Sequence, residues 1–91
     1  MIHVICYDIA DDRRREAIAL VLSARGARVQ LSVFECDLDP GALVELKARL
    51  LGLIDPHDDQ IRLYALPNGP GKPVDVLGNR RLEERADFWI V

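Results

Sequence analysis

Cysteine and aromatic residues are scarce in this 91-residue chain, which holds two Cys, one Trp, two Tyr and two Phe. Cys6 and Cys36 lie in separate strand-like stretches without C-x-x-C spacing, so buried reduced thiols are expected, not a disulfide or zinc site. Histidine is equally sparse. His3 alternates with core positions and His57 sits in a polar connection, so neither stands out as a general base. Ser32 has no Lys or His motif beside it and reads as a strand hydroxyl, not a nucleophile. No apolar run approaches the ~20 residues that cross a bilayer. Nor does the chain open on a basic-then-apolar leader with a cleavage site. A cytoplasmic protein with no membrane partner is expected. A basic excess is missing too: net charge is −3, which argues against a whole-face nucleic-acid binder.

What is present is ordinary globular composition, 49% apolar and 30% charged, enough for one domain with a modest core. The charge is unevenly spread. Residues 1–34 carry five Arg against four acids, residues 35–59 seven acids against two bases, and residues 60–91 five bases against four acids. Acid is concentrated in the middle, which leaves arginines available near the first strand. Any nucleic-acid contact would therefore be local.

The chain is organised around its start. Ile2 to Tyr7 is an apolar run that reads as a buried strand, ending at Asp8, a carboxylate where the strand leaves the sheet. Asp11 is a good N-cap and Asp12 suits the positive end of a helix dipole. Arg13, Arg14 and Arg15 then crowd the first turn, where the dipole disfavours cations. An acid at a strand terminus beside misplaced arginines suggests a site. The plainer reading is an Asp turn and solvated arginines paired at one-turn spacing. On either reading, removing Arg14 and Arg15 is expected to cost the fold little.

Residues 12–25 read as a helix, with Ile18, Leu20, Val21, Leu22 and Ala24 on a wide apolar face and Gly26 as a left-handed terminator. Residues 28–38 have strand composition. They form one long strand or two short ones meeting near Leu31-Ser32, since no Gly, Pro or Asn marks a turn. Asp39-Pro40 starts a second helix, carried by Leu43, Leu46, Leu50 and Leu53. Asp55 to Asp59 is a polar connection. Gln60 to Leu66 alternates as a half-buried strand, with Ile61, Leu63 and Ala65 against Arg62 and Tyr64. Residues 67–73 are linker-like, 74–77 a short strand closed by Gly78, and 80–85 charged.

This order predicts an α+β ferredoxin-like sandwich, an antiparallel sheet with two helices on one face. Residues 1–66 would form the core, and residues 67–91 a linker with C-terminal strands. The tail holds Phe88, Trp89 and Ile90, too apolar to hang free. Pairing it with the sheet edge of a second copy predicts a homodimer.

Tyr7-Asp8-Ile9 with Asp11-Asp12-Arg13-Arg14, followed by Arg28-Val29-Gln30-Leu31-Ser32-Val33-Phe34-Glu35, resembles the small CRISPR-associated endoribonuclease family. Its members are the smaller subunit of the spacer-acquisition integrase. Asp55-Pro56, Ile61-Arg62-Leu63-Tyr64 and the chain length also fit. The resemblance implies a ferredoxin-like homodimer with a Mg2+ site between subunits, cutting single-stranded RNA or, in some members, duplex DNA. It also implies partnership with the larger integrase subunit. Asp8 matches the family's metal-binding, catalytic aspartate; Arg15, Arg28 and Phe34 match positions implicated in activity. Ala17 departs from members that carry a further basic residue there.

On physical grounds, magnesium takes one or two protein carboxylates and keeps its waters, so a twofold axis pairing two Asp8 would complete a site. Arg14, Arg15 and Arg28 would hold phosphates as forked donors. Phe34 would stack on a base, the alternative being a core role. Three functions remain open: a metal-dependent phosphodiesterase, a non-catalytic dimeric DNA adaptor of the integrase, and a toxin-like RNase of the same fold.

Overall fold

The computed structural model describes residues 1–66, Pro73 and residues 75–78. Five strands and two helices alternate: β1 (Ile2–Asp8), α1 (Asp12–Ser23), β2 (Gly26–Gln30), β3 (Val33–Asp37), α2 (Pro40–Leu53), β4 (Gln60–Ala65) and β5 (Asp75–Gly78). The sheet order is β2-β3-β1-β4-β5, with every neighbouring pair antiparallel. The first four strands and both helices make the β-α-β-β-α-β unit of a ferredoxin-like sandwich, as the element order predicts.

Register decides which side chains meet the helices. Ile5 lies opposite both Phe34 and Leu63, and Tyr7 opposite Ile61, which in turn faces Leu77. These residues therefore share one face of the sheet. Ile18, Val21 and Leu22 of α1 and Leu46 and Leu50 of α2 pack on that same face in a single core cluster. Both helices thus cover one side. Their starts follow the expected chemistry: Asp11 accepts from the Arg14 N–H at 3.0 Å, and Asp39 accepts from the Ala42 N–H at 2.7 Å ahead of Pro40.

Several local expectations are settled or corrected. Residues 28–38 form two strands, and the turn is Leu31-Ser32, as Gln30 pairs with Val33. A register shift between Arg28 and Gln30 adds one residue to β2, a bulge that lets the chain reverse without a glycine. Gly26 does not end α1 in a left-handed conformation; among the described residues only Gly78 has positive φ, at 90°. Gly26 instead opens β2, where a Cβ would overlap the Glu35 carbonyl oxygen and lie 2.8 Å from Cys36 Sγ. Its requirement is close approach of backbones.

β4 is buried along its whole length, not half-buried. It lies between β1 and β5, and Arg62 is flanked across the strands by Cys6 and Val76. Arg62 Nε donates to Gln60 Oε1 at 2.7 Å, so the guanidinium folds back along its own strand. Cys6 and Cys36 are both free and buried. Burial pushes the Cys6 thiol up to about 11, the nearby Arg62 charge only partly opposing it. Among the described residues, no helix is long and apolar enough to cross a membrane. Phe88, Trp89 and Ile90, assigned above to the dimer contact, lie outside the described residues, as does most of the 67–91 segment.

Candidate functional site

The C-terminal end of β1, the N-terminus of α1, the β2–β3 turn and the start of β4 converge at one end of the sheet. The Tyr7 N–H donates to the Ser32 carbonyl at 3.1 Å, which ties the turn beside Asp8. Asp8 pairs across to Gln60 at the start of β4. Its side chain is exposed, because Tyr7 before it and Ile9 after it point into the core and the strand's alternation turns Asp8 away.

Behind Asp8 lies a buried polar knot that the sequence did not reveal. Asp59, in the α2–β4 connection, is 0% exposed. Its Oδ1 accepts from the Ala10 N–H at 3.0 Å and from Arg14 Nη2 at 3.3 Å. Its Oδ2 accepts from Arg14 Nε at 2.7 Å and from the Asp55 N–H at 2.8 Å. Both oxygens thus have two donors each, which fills a carboxylate's ordinary capacity. Burial would push this carboxyl up. The forked bond from Arg14 and the N–H groups of Asp55 and Ala10 outweigh it, and the group is held below the ordinary aspartate value.

The three arginines of α1 consequently separate. Arg14 is a strut, its guanidinium joining the first turn of α1 to the chain ahead of β4. The expectation that its removal costs little is therefore corrected. Arg15 reaches Asp12 through one nitrogen and the Ile9 carbonyl through another, at 3.1 Å, and stays partly exposed. Arg13 is exposed and makes no hydrogen bond or ion pair among the described residues. From the sequence it is one of three first-turn arginines, with the phosphate contacts given to Arg14, Arg15 and Arg28. A run of three arginines does not say which points inward; helix phase against Asp59 decides it.

Arg28 and Phe34 are brought together, but not as two surface groups. Phe34 is 1% exposed and belongs to the core, where its ring stacks with Tyr7 at a centroid distance of 6.3 Å. It is therefore placed away from any base in solution. Arg28, opposite it in the β2–β3 register, is exposed and lays its guanidinium carbon over the ring, 5.2 Å from the centroid. Of the two histidines, His3 is buried with Nδ1 3.2 Å from the Met1 carbonyl oxygen, and His57 is exposed. Among the described residues no three His, Cys, Asp or Glu side chains converge as a metal-binding group.

The fold and this end of the sheet define a class: small ferredoxin-like domains with a solvent-facing acid closing the first strand and a basic start to the first helix. Comparison with known families makes the assignment specific. The model of the family described as CRISPR associated protein Cas2 matches residues 1–70, and the chain belongs to that family. It is 43% identical to a Synechocystis sp. protein named CRISPR-associated endoribonuclease Cas2 3, over 99% of this chain and 98% of that one. It is 42% identical to a Thermus thermophilus protein named CRISPR-associated endonuclease Cas2 2, over 99% and 96% of the two chains. Among solved structures, Streptococcus pyogenes Cas2 superposes with a TM-score of 0.70 at 35% identity, covering 76% of this chain and 89% of that one. A Thermus thermophilus protein described only as hypothetical reaches the same TM-score, 0.70, at 42% identity over 86% and 90%.

Proposed function

We propose that this protein is a magnesium-dependent endoribonuclease of CRISPR adaptation, working as a homodimer and joining the larger integrase subunit in inserting new spacer DNA. The observation that carries the reading is Asp8: an exposed carboxylate without an ion-pair partner among the described residues, at the strand end beside Arg13 and Arg15. The names of the relatives, endoribonuclease and endonuclease, support the reaction class.

The donor set fits a hydrated magnesium ion if two copies meet. Magnesium retains several waters and takes one or two carboxylates. Asp8 offers one per chain, and Asp59, with both oxygens filled, offers none. When bound, the metal supplies charge stabilisation at the scissile phosphate and a more acidic water. Asp8 would hold it, while Arg13 grips a neighbouring phosphate as a forked donor and Arg15, tied to Asp12 and the Ile9 carbonyl, adds charge beside it, both charged at every working pH.

Three experiments test this reading. The purified protein should cleave single-stranded RNA or duplex DNA only with divalent metal. Replacing Arg13 and Arg15 together with alanine should lower the salt slope of nucleic-acid binding by about one unit per lost phosphate contact. A slope left unchanged would remove both residues from the interface. For the dimer, truncation after Arg85 removes Phe88, Trp89 and Ile90 and should give monomers or aggregates by light scattering; a soluble truncated dimer would count against tail pairing.

One observation favours a second reading, the non-catalytic adaptor that lays duplex DNA across its arginines between two integrase subunits. Asp8 alone at the strand end, one carboxylate per chain, is a thin metal site. Spacer integration by the unaltered protein, purified and cleaving neither RNA nor DNA with any divalent metal, would support it.

A further inference from the structure

Beside the strand-end site, α1 presents Glu16, Ala19, Leu20 and Ser23 toward the edge strand β2. Together with Arg28 they line an open groove of about 560 Å³. The four helix residues recur at i, i+3, i+4 and i+7, so they form one stripe. Leu20 is 73% exposed there, between Glu16 and Ser23 on the stripe. Glu16 and Arg28 both line the groove, yet no ion pair joins them, and neither has another ion-pair partner among the described residues.

Resting on the nucleic-acid reading above, we propose that this groove is a nucleobase subsite for an unpaired guanine in the bound strand. The volume falls within the ~300–1,000 Å³ of small-ligand sites. Phe34 is too deeply buried to stack on a base, but it holds the Arg28 guanidinium over its ring, 5.2 Å from the centroid, and Arg28 itself lines the groove. Single-stranded RNA bases stack on arginine planes as well as on aromatic rings. Leu20 and Ala19 supply apolar contact. Glu16 supplies an acceptor with two oxygens, and guanine is the RNA base that offers two adjacent donors, N1–H and the N2 amino group, on one edge. Phe34 is then a positioning residue acting through Arg28, and Glu16 sets the base preference.

A protein strand adding to the β2 edge is the competing occupant. It would draw on β2 backbone groups and apolar side-chain pockets, whereas this groove carries an unbridged carboxylate and guanidinium, which suit a ligand with a polar edge.

The test is anisotropy with labelled hexauridine carrying guanosine, inosine or uridine at a central position, with chelator present so that the strand is not cut. The guanosine strand should bind roughly tenfold tighter than the all-uridine strand. Inosine, which lacks the N2 amino group, should lose most of that gain. Glu16→Gln should erase the preference, bringing the guanosine strand to the affinity of the uridine strand. Arg28→Lys keeps the charge but not the plane, and should weaken all three strands. Equal affinity for guanosine and uridine strands, or a preference that survives Glu16→Gln, overturns the subsite and leaves the nucleic-acid reading standing. Failure to bind any strand at low salt overturns both.

Discussion

Replacing Asp59 with alanine should cost roughly 1–3 kcal/mol of folding stability for each buried N–H left without an acceptor. A domain of this size has about 5–15 kcal/mol in all, so the loss is a large share of the total. The reason is local. Two backbone N–H groups and the Arg14 fork lose their acceptor at once, and nothing among the described residues replaces it. Asp59→Asn should fall between, since one amide oxygen can serve only some of these donors and its NH2 group opposes the rest. Urea midpoints measure both. A near-native midpoint for Asp59→Ala would show that water substitutes for the carboxylate.

The same group gives a pH signature. Its folded-state pKa is lowered below the unfolded value of about 3.9, so the unfolded chain binds its proton first. Asp59 therefore contributes its full stability above about pH 4, and loses it as pH falls through the depressed folded value. Urea midpoints taken from neutral pH down into that acid window should drop less steeply in Asp59→Asn than in the parent protein.

Asp8→Asn should abolish metal-dependent cleavage while leaving the fold and nucleic-acid binding in place. The substitution preserves size and turn-forming ability but removes the charge that magnesium requires. Loss of several kcal/mol of metal-derived stabilisation corresponds to a rate decrease on the order of a thousandfold. Since Asp8 is exposed and unpaired among the described residues, its urea midpoint should barely move. Integration of spacer DNA with the larger subunit should also persist. Cleavage surviving in rigorously purified Asp8→Asn protein would place the chemistry elsewhere, and an integration defect would give Asp8 a role in assembly as well.

Local pattern was enough for much of the architecture. The apolar run from Ile2 to Tyr7 makes a buried strand that ends at Asp8, Asp11 and Asp39 cap their helices by short-range hydrogen bonds, and the element order defines the sandwich. These depend on neighbours within a few residues, which a sequence displays directly. The core position of Phe34, the close-packed role of Gly26 and the burial of both faces of β4 depend on what lies across the sheet. Local pattern left each ambiguous or pointed the other way.

The sharpest division falls within Arg13-Arg14-Arg15. As sequence they are three equivalent cations, and Asp59 is one more acid in an acidic stretch. Folding brings Asp59 against α1 from 45 positions away, and the helical rotation of about 100° per residue directs Arg14 alone into it. Arg14 thereby becomes a strut and Arg13 the open cation. The sequence by itself determined that acid and base gather where β1 leaves the sheet. Only the tertiary structure decided which arginine remains for a ligand, because burying Asp59 uncompensated would cost more than committing one guanidinium to it.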